Sequence, residues 1–250
     1  LTDTEKFHKD WSFEHWQYLY GKPTASGYFK QLPEDFIVTE NLGFDLTGEG
    51  ENLFLCIEKR ELNTQQVCEY LAKFFNKRLR DIGYAGMKDK QSISRQWFSV
   101  QMNVTQTPDL SELDTEQIKL ITSKRHNKKL KVGALESNHF KITLKQVDDI
   151  KHIEQKLTLI QHNGVPNYFG SQRFGFKGNN LTASRSYLFN QVVSKRLEMG
   201  VFEQAQAGEL FILAGTNSYF SDQVTDEITE RLKHRDIKLS APLFGKGELE

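Results

Sequence analysis

The chain has 250 residues with 33 Lys+Arg against 33 Asp+Glu, so its formal charge is zero; 38% of residues are apolar, 26% charged and 12% aromatic. That composition excludes the disordered and collagen-like classes and suits a chain that buries a sizeable core as one large domain or two small ones. No apolar run approaches the roughly 20 residues of a membrane span, and the opening LTDTEKFHKDW is too polar for a signal peptide, so the cytoplasm is the expected compartment.

In chain order, FIVTENLGF and LFLCIEKR alternate apolar and polar residues and are expected to be strands, with the Gly-rich TGEGEN between them as a hairpin connection. NTQQVCEYLAKFFNKRL follows, with Asn63 or Thr64 as the cap and Val67, Tyr70, Leu71, Phe74 and Phe75 at helical spacing. DIGYAGMKDK is expected to be a strand with a turn and RQWFSVQM another strand. IKLITSKR, KLKVGAL and HFKITLKQV continue the strand pattern before the helix DDIKHIEQKLTLIQHNG, which ends near Gly164. Consecutive strands favour an α+β class with a mixed, mainly antiparallel sheet over a βαβ repeat. Beyond GVPNYFGSQRFG helices at 183–199 and 222–235 dominate with few strand signals, so the natural division runs 1–163 and 164–250. Cys56 and Cys68 sit among apolar neighbours and are expected in the core, not in a disulfide or ligand pair.

The zero net charge hides an asymmetry. Residues 1–116 carry 13 basic and 19 acidic side chains, residues 117–201 carry 15 and 5, and residues 202–250 carry 5 and 9. The densest basic run is SKRHNKKLKVG, with Lys124, Arg125, Lys128, Lys129 and Lys131. Such a run is either a solvated face or a phosphate-contacting strip that binds a polyanion by releasing counterions.

Several chemistries fail on spacing. His126, His139, His152 and His162 lie 13, 13 and 10 residues apart, which matches no metal-ligand spacing, and two cysteines are too few for a structural zinc. GSQRFGFKG approaches a phosphate loop, but Phe176 stands where the lysine is needed and no Ser or Thr follows Lys177. There is no G-x-S-x-G elbow and no cysteine in a polar setting. A carboxylate remains: in GYAGMKDKQ, Asp89 lies directly between Lys88 and Lys90, whose ammonium groups favour its ionised form. A Lys-Asp-Lys turn is also common solvated surface, and composition alone does not separate the two readings.

AGMKDKQSISRQWFSV resembles the signature of the TruD family of tRNA pseudouridine synthases, in which a KD turn carries the essential aspartate. GYFKQLPEDFIVTENL, RHNKKLKVGALESNHF, GVPNYFGSQRFGFKGNNL and ASRSYLFNQVV match the same family in the same order, so the resemblance covers nearly the whole chain. It implies a pseudouridine-synthase-like catalytic domain over 1–163 and a largely helical inserted domain over 164–250. It implies Asp89 as the catalytic aspartate, Lys30 as the basic residue beside it, and Phe36, Asn138 and Phe140 as the uridine pocket, with Phe140 against the base. The implied reaction turns uridine 13 of tRNA into pseudouridine without cofactor or metal. Whether Asp89 attacks C1′, adds to C6 or removes the 2′ proton stays open. Lys124, Arg125, Lys128, Lys129, Lys131 and Arg173 become candidate RNA contacts, with Lys177, Arg185, Lys195 and Arg196 extending the basic third. The expected partner is tRNA, with no membrane and no obligate protein partner, the chain acting as a monomer. The competing readings are a catalytically silent RNA-binding module with the same fold and a carboxylate-dependent hydrolase of a small glycoside, for which Glu34, Asp35 and Glu40 are candidate second acids by type only and which leaves the basic third unexplained. The chain departs from the family where GNNL abuts TASRSYLFN, a junction that ordinarily holds a further basic segment. It also ends at GKGELE, ahead of a stretch expected to complete the catalytic sheet, since a closed sheet stripped of terminal strands exposes an unpaired edge.

Overall fold

The computed structural model describes residues 15–174, 180–216 and 218–240. The phosphate-loop near miss at Lys177 and the terminal GKGELE lie outside the described residues. Contacts divide the chain into two units, Ala25–Asp149 and a second made of Leu1–Thr24 with Ile150–Glu250. The break therefore falls one helix before the division at 163/164 expected from composition.

The first unit is a six-stranded sheet with one helix: β1 (Phe36–Asn41), β2 (Asn52–Arg60), α1 (Thr64–Phe74), β3 (Ile82–Tyr84), β4 (Ile93–Gln101), β5 (Ile118–His126) and β6 (Ser137–Ile142). The order is β5-β2-β4-β1-β6, with β3 also on β4. All pairs are antiparallel except β1 with β4. The hairpin expected across TGEGEN does not form, because β4 inserts between β1 and β2. Local alternation reports which residues lie on a strand but not which strand takes its free edge. KLKVGAL is likewise no strand: Gly133 has φ +85° and its N–H bonds Ala85 O at 2.7 Å, while Leu130 and Leu135 pack with Leu42, Leu46 and Phe54. Its apolar residues plug one face of the sheet from a loop.

Helix α1 forms where its sequence signals lie. The Asn63 side chain accepts the Gln66 N–H at 2.8 Å and the Gln66 side chain accepts the Asn63 N–H at 2.9 Å, a reciprocal cap. The helix buries Val67, Cys68, Leu71 and Ala72 in one cluster with Leu55, Ile57, Phe98 and Val100. Each fully buried aliphatic contributes about 1.5–3 kcal/mol, which fixes the face of β2 and β4 that turns inward. By register and the two-residue period of strands, that same face carries Lys59 on β2, Ser94 and Gln96 on β4, Phe36, Val38 and Glu40 on β1, and Asn138 and Phe140 on β6.

The second unit holds α2 (Ile150–Asn163), α3 (Asn180–Glu198) and α4 (Asp226–Lys233), with a three-stranded antiparallel sheet β7 (Leu210–Leu213), β8 (Tyr219–Ser221) and β9 (Ile237–Leu239) in the order β8-β7-β9. Helix α2 ends as expected, with Gly164 at φ +77° donating its N–H to Ile160 O at 2.8 Å. The small sheet is an addition to the expected helical region; strands of three or four residues are too short to show alternation. Phe211, Ile228 and Ile237 form its core. The motif PNYFG is anchored by the buried Asn190, whose amide accepts the Phe169 N–H at 2.9 Å and donates to Phe169 O at 3.0 Å.

Candidate active site

Strands β1 and β3 share one edge of β4: β1 pairs with residues 93–95 and β3 with 98–100. The chain leaving β3 at Tyr84 must return to the start of β4 beside the first residues of β1, and Asp89 lies on that return. Three bonds hold its backbone and that of its neighbour. Lys59 Nζ donates to Asp89 O at 2.8 Å and to Leu62 O at 2.6 Å, Ser92 Oγ donates to Asp89 O at 2.7 Å, and Lys88 N donates to Thr64 Oγ1 at 2.8 Å. Thr64 opens α1, so the turn is tied both to the helix start and to the sheet.

The two flanking lysines do not serve Asp89. Lys88 turns inward and pairs with Glu40 at 2.5 Å, both side chains being buried at 6% and 0% exposure. Glu40 Oε1 also accepts the Trp97 N–H at 3.2 Å. Lys90 is exposed. The ammonium that meets the Asp89 carboxylate is that of Lys30, through an ion pair to Oδ2. The side chain of Asp89 is 41% exposed and that of Lys30 only 20%, so the pair presents its acidic member outward.

Lys30 is placed by its own strand-like neighbourhood. Tyr28 and Lys145 exchange backbone bonds at 2.8 and 3.0 Å, which lays this segment beside the continuation of β6. Lys30 has φ +55°, a left-handed backbone that a non-glycine residue adopts only when its surroundings hold it there, and Gln91 Nε2 donates to Lys30 O at 2.7 Å. Its Nζ lies 3.8 Å from the Phe36 ring centroid and 5.3 Å from that of Phe29, so the charge rests on two aromatic rings as well as on Asp89. Phe36 in turn contacts Phe29 at 5.6 Å and Phe140 at 5.8 Å. Phe140 is 52% exposed and offers an open ring face. Asn138, two residues earlier on the same face of β6, has a buried Oδ1 without a hydrogen-bond partner among the described residues.

The electrostatics add one further group. Burial pushes the Lys59 ammonium down to about 8, against the pull of the Asp89 charge and with the repulsion of Lys88 assisting. Nearby, Lys145 holds the buried Asp35 carboxyl below the usual range through a bond at 2.8 Å, which fixes the turn leading into β1. Among the described residues there is no group of three or more His, Cys, Asp or Glu side chains arranged to hold a metal.

Lys30, Phe36, Asp89, Asn138 and Phe140 therefore meet in one place although they are up to 110 positions apart. Phe29, Glu40 and Lys59 complete that place; Phe29 and Lys59 were not singled out from the sequence, and Glu40 was weighed there only as an acid by type. The basic run behaves less uniformly. Lys124, Lys128 and Lys131 are exposed. Arg125 spends its guanidinium on the carbonyls of Gly50 at 2.9 Å, Asn103 at 3.2 Å and Gln106, and Lys129 donates to Arg80 O at 2.5 Å. Arg173, in the second unit, donates Nε to Ser186 Oγ at 3.1 Å and lies 5.1 Å over the Phe169 ring. Among the described residues no helix is long and apolar enough to cross a membrane.

Comparison with known proteins identifies the family. The family pattern described as tRNA pseudouridine synthase D (TruD) matches residues 13–182. A tRNA pseudouridine synthase D of Pseudoalteromonas atlantica is 42% identical over 94% of this chain and 75% of its own length, and one of Proteus mirabilis is 40% identical over 94% and 74%. The crystal structure of a putative tRNA pseudouridine synthase D from Methanosarcina mazei shares the fold, with a TM-score of 0.71 over 92% of this chain and 75% of that one at 20% identity. A matched pattern over more than half the chain, together with relatives near 40% identity, makes this protein a member of the TruD family of tRNA pseudouridine synthases.

Proposed function

We propose that this protein isomerises uridine 13 of tRNA to pseudouridine, with Asp89 as the essential carboxylate and with neither metal nor cofactor. The observation that carries the reading is the half-exposed Asp89 carboxylate paired to Lys30 beside the rings of Phe29, Phe36 and Phe140. The reaction breaks C1′–N1 and forms C1′–C5, and the proton lost from C5 is balanced by the one gained at N1. Substrate and product are isomers, so the chemistry calls for no redox partner and no group donor. Attack on C1′, addition to C6 and removal of the 2′ proton all require a carboxylate oxygen facing the nucleotide, and the exposure of the Asp89 carboxylate supports that role. A uridine reaching it leaves its stack, and the open Phe140 ring and the unsatisfied Asn138 oxygen supply replacements for stacking and edge bonding.

The catalytic domain is read within residues 1–163, with the unit Ala25–Asp149 as its body, and the family's inserted domain within 164–250, the protein acting as a monomer in the cytoplasm. Lys124, Lys128, Lys131 and Arg173 are read as phosphate contacts, and Arg125 and Lys129 as residues that shape the loops presenting them. The test is to incubate the full chain with tRNA transcripts that carry or lack U13 and to map pseudouridine by carbodiimide adducts. Conversion at position 13, abolished by Asp89→Asn with tRNA binding retained, is the expected result. Conversion only at other positions overturns the site assignment, and tRNA binding without any conversion overturns the enzymatic reading.

A further inference from the structure

A cavity of about 700 Å³ opens in the first unit between the loop that follows β1 and the segment that follows β5, lined by Phe44, Asp45, His126, Lys128, Lys131 and their neighbours. We propose that it is a second nucleotide subsite, which stacks one unpaired base of the RNA on Phe44 and takes the adjoining phosphate on Lys128 and Lys131. The inference rests on the reading that the substrate is RNA, and it concerns a place the catalytic aspartate does not reach.

Three observations carry it. The first is an aromatic cluster, edge-on at its buried end and tilted at its open one. The His126 ring lies 5.3 Å from the buried Phe54 at 80° and 5.5 Å from Phe44 at 34°, and Phe44 remains 40% exposed. Aromatic rings are where single-stranded bases stack, at about 1–3 kcal/mol per base and with little sequence preference.

The second is that the platform is held rigid before any ligand arrives. Thr47 N–H donates to His126 Nδ1 at 3.3 Å, which makes Nδ1 an acceptor and puts the neutral ring's proton on Nε2. Gly48 N–H donates to Arg125 O at 2.9 Å and Arg125 returns a bond to Gly50 O at 2.9 Å. Gly50, at φ +109°, lies so close to the opposite segment that a Cβ there would come within 2.5 Å of Asn127 Cα. A loop fastened this tightly does not need an exposed phenylalanine for its own packing, and a rigid platform reduces the ordering cost of binding.

The third is charge. Lys128 and Lys131 line the cavity, are exposed, and have no ion pair or hydrogen bond among the described residues, whereas the third lysine, Lys129, is spent on Arg80 O. Asp45 is the acid on the rim, so the lining carries three lysines against one carboxylate and favours an anion. His126 pairs with Asn52, and Asn52 with Gln101 at the far end of β4, eight residues of strand from Ile93 beside the Asp89 turn. That separation is about 25 Å at the usual rise of a strand. One nucleotide cannot fill both places, but a folded polynucleotide can, and its second contact fixes register and affinity without touching the reacting atoms.

The test uses the full chain and a tRNA transcript. Phe44→Ala is expected to weaken tRNA binding roughly 5- to 150-fold, the equivalent of one lost base stack, with the loss read in Kd and KM rather than in kcat. Phe44→Trp is expected to restore affinity, and its indole fluorescence to be quenched on adding RNA. Lys128→Gln combined with Lys131→Gln is expected to reduce the slope of log K against log salt by about 0.7–0.9, the share of one phosphate. Unchanged affinity in folded Phe44→Ala, or full rescue by the non-aromatic Phe44→Leu, overturns the subsite while leaving the catalytic reading intact. Failure of the unsubstituted protein to bind tRNA overturns both.

Discussion

Replacing Lys88 by Met tests how the turn that carries Asp89 is held. The ammonium of Lys88 and the carboxylate of Glu40 meet at 2.5 Å with 6% and 0% of their side chains exposed, and the second carboxylate oxygen takes the Trp97 N–H. Lys88→Met preserves most of the volume but leaves a buried carboxylate without its counter-charge, a change that costs about 3–5 kcal/mol. For a unit of this size each kcal/mol lowers the thermal midpoint by a few degrees, so a drop of roughly 10–20 °C is expected. Glu40→Gln in the same chain removes the orphan charge yet keeps an acceptor for Trp97, and the double variant is expected to recover more than half of the loss. Differential scanning fluorimetry of the two single variants and the double gives the coupling directly. Below the midpoint, Lys88→Met is expected to convert tRNA roughly 10- to 100-fold more slowly, the effect of a small displacement of Asp89. A Lys88→Met variant within about 1 kcal/mol of the parent, or a double variant no more stable than the single, refutes the reasoning, because the pair would then not be a desolvated ion pair at all.

Four further outcomes follow from the same structure. Lys59 is held near 8 when folded against 10.5 when exposed, so the unfolded chain binds the extra proton between those values and stability rises with pH across that window, by up to about 3 kcal/mol from this group; Lys59→Met should flatten the rise in denaturant midpoints measured from pH 8 to 10. Lys30→Met removes the charge facing Asp89 and the cation on Phe36 and is expected to cut kcat by about 10²- to 10³-fold with a normal melting curve. Gly83→Ala brings a Cβ to 2.4 Å from Leu130 O and 2.5 Å from Ser99 Oγ, and is expected to destabilise by about 1–3 kcal/mol in urea titration even though alanine is the better residue for an ordinary strand. Burial pushes the Cys56 and Cys68 thiols up to about 11 and about 12, so maleimide labelling at pH 8 should be negligible in native protein and rapid in urea; rapid native labelling would contradict the packing of α1.

How far the chain could be read without its structure depends on the range of the interaction concerned. Helix α1 announced itself because its cap, Asn63 with Gln66, and its apolar stripe lie within eleven residues of each other. Strand β4 did so through its alternation from Ile93 to Phe98, and β2 through a short apolar run, Leu53 to Ile57, bounded by polar residues. Asp89, Lys30, Phe36, Asn138 and Phe140 were named through motif resemblance, and the motifs carried residue identity without geometry. The Lys-Asp-Lys turn suggested that Asp89 is served by its neighbours, and folding instead sent Lys88 to Glu40 and brought Lys30 across 59 positions.

Local sequence thus determined where the long strands and most of the helices lie, where α1 starts and α2 stops, and which aspartate to consider. Tertiary structure decided what each strand edge and each charge is for. Whether β4 or β2 takes the edge of β1, whether KLKVGAL extends a sheet or plugs it, and whether a lysine in a basic run faces solvent or a carbonyl all depend on partners far away in the chain. A buried polar group is satisfied by whatever the fold places within about 3 Å of it. Arg125 and Lys131 look alike in the string SKRHNKKLKVG, and only the loops at Gly50, Asn103 and Gln106 make one of them a brace and leave the other open to solvent.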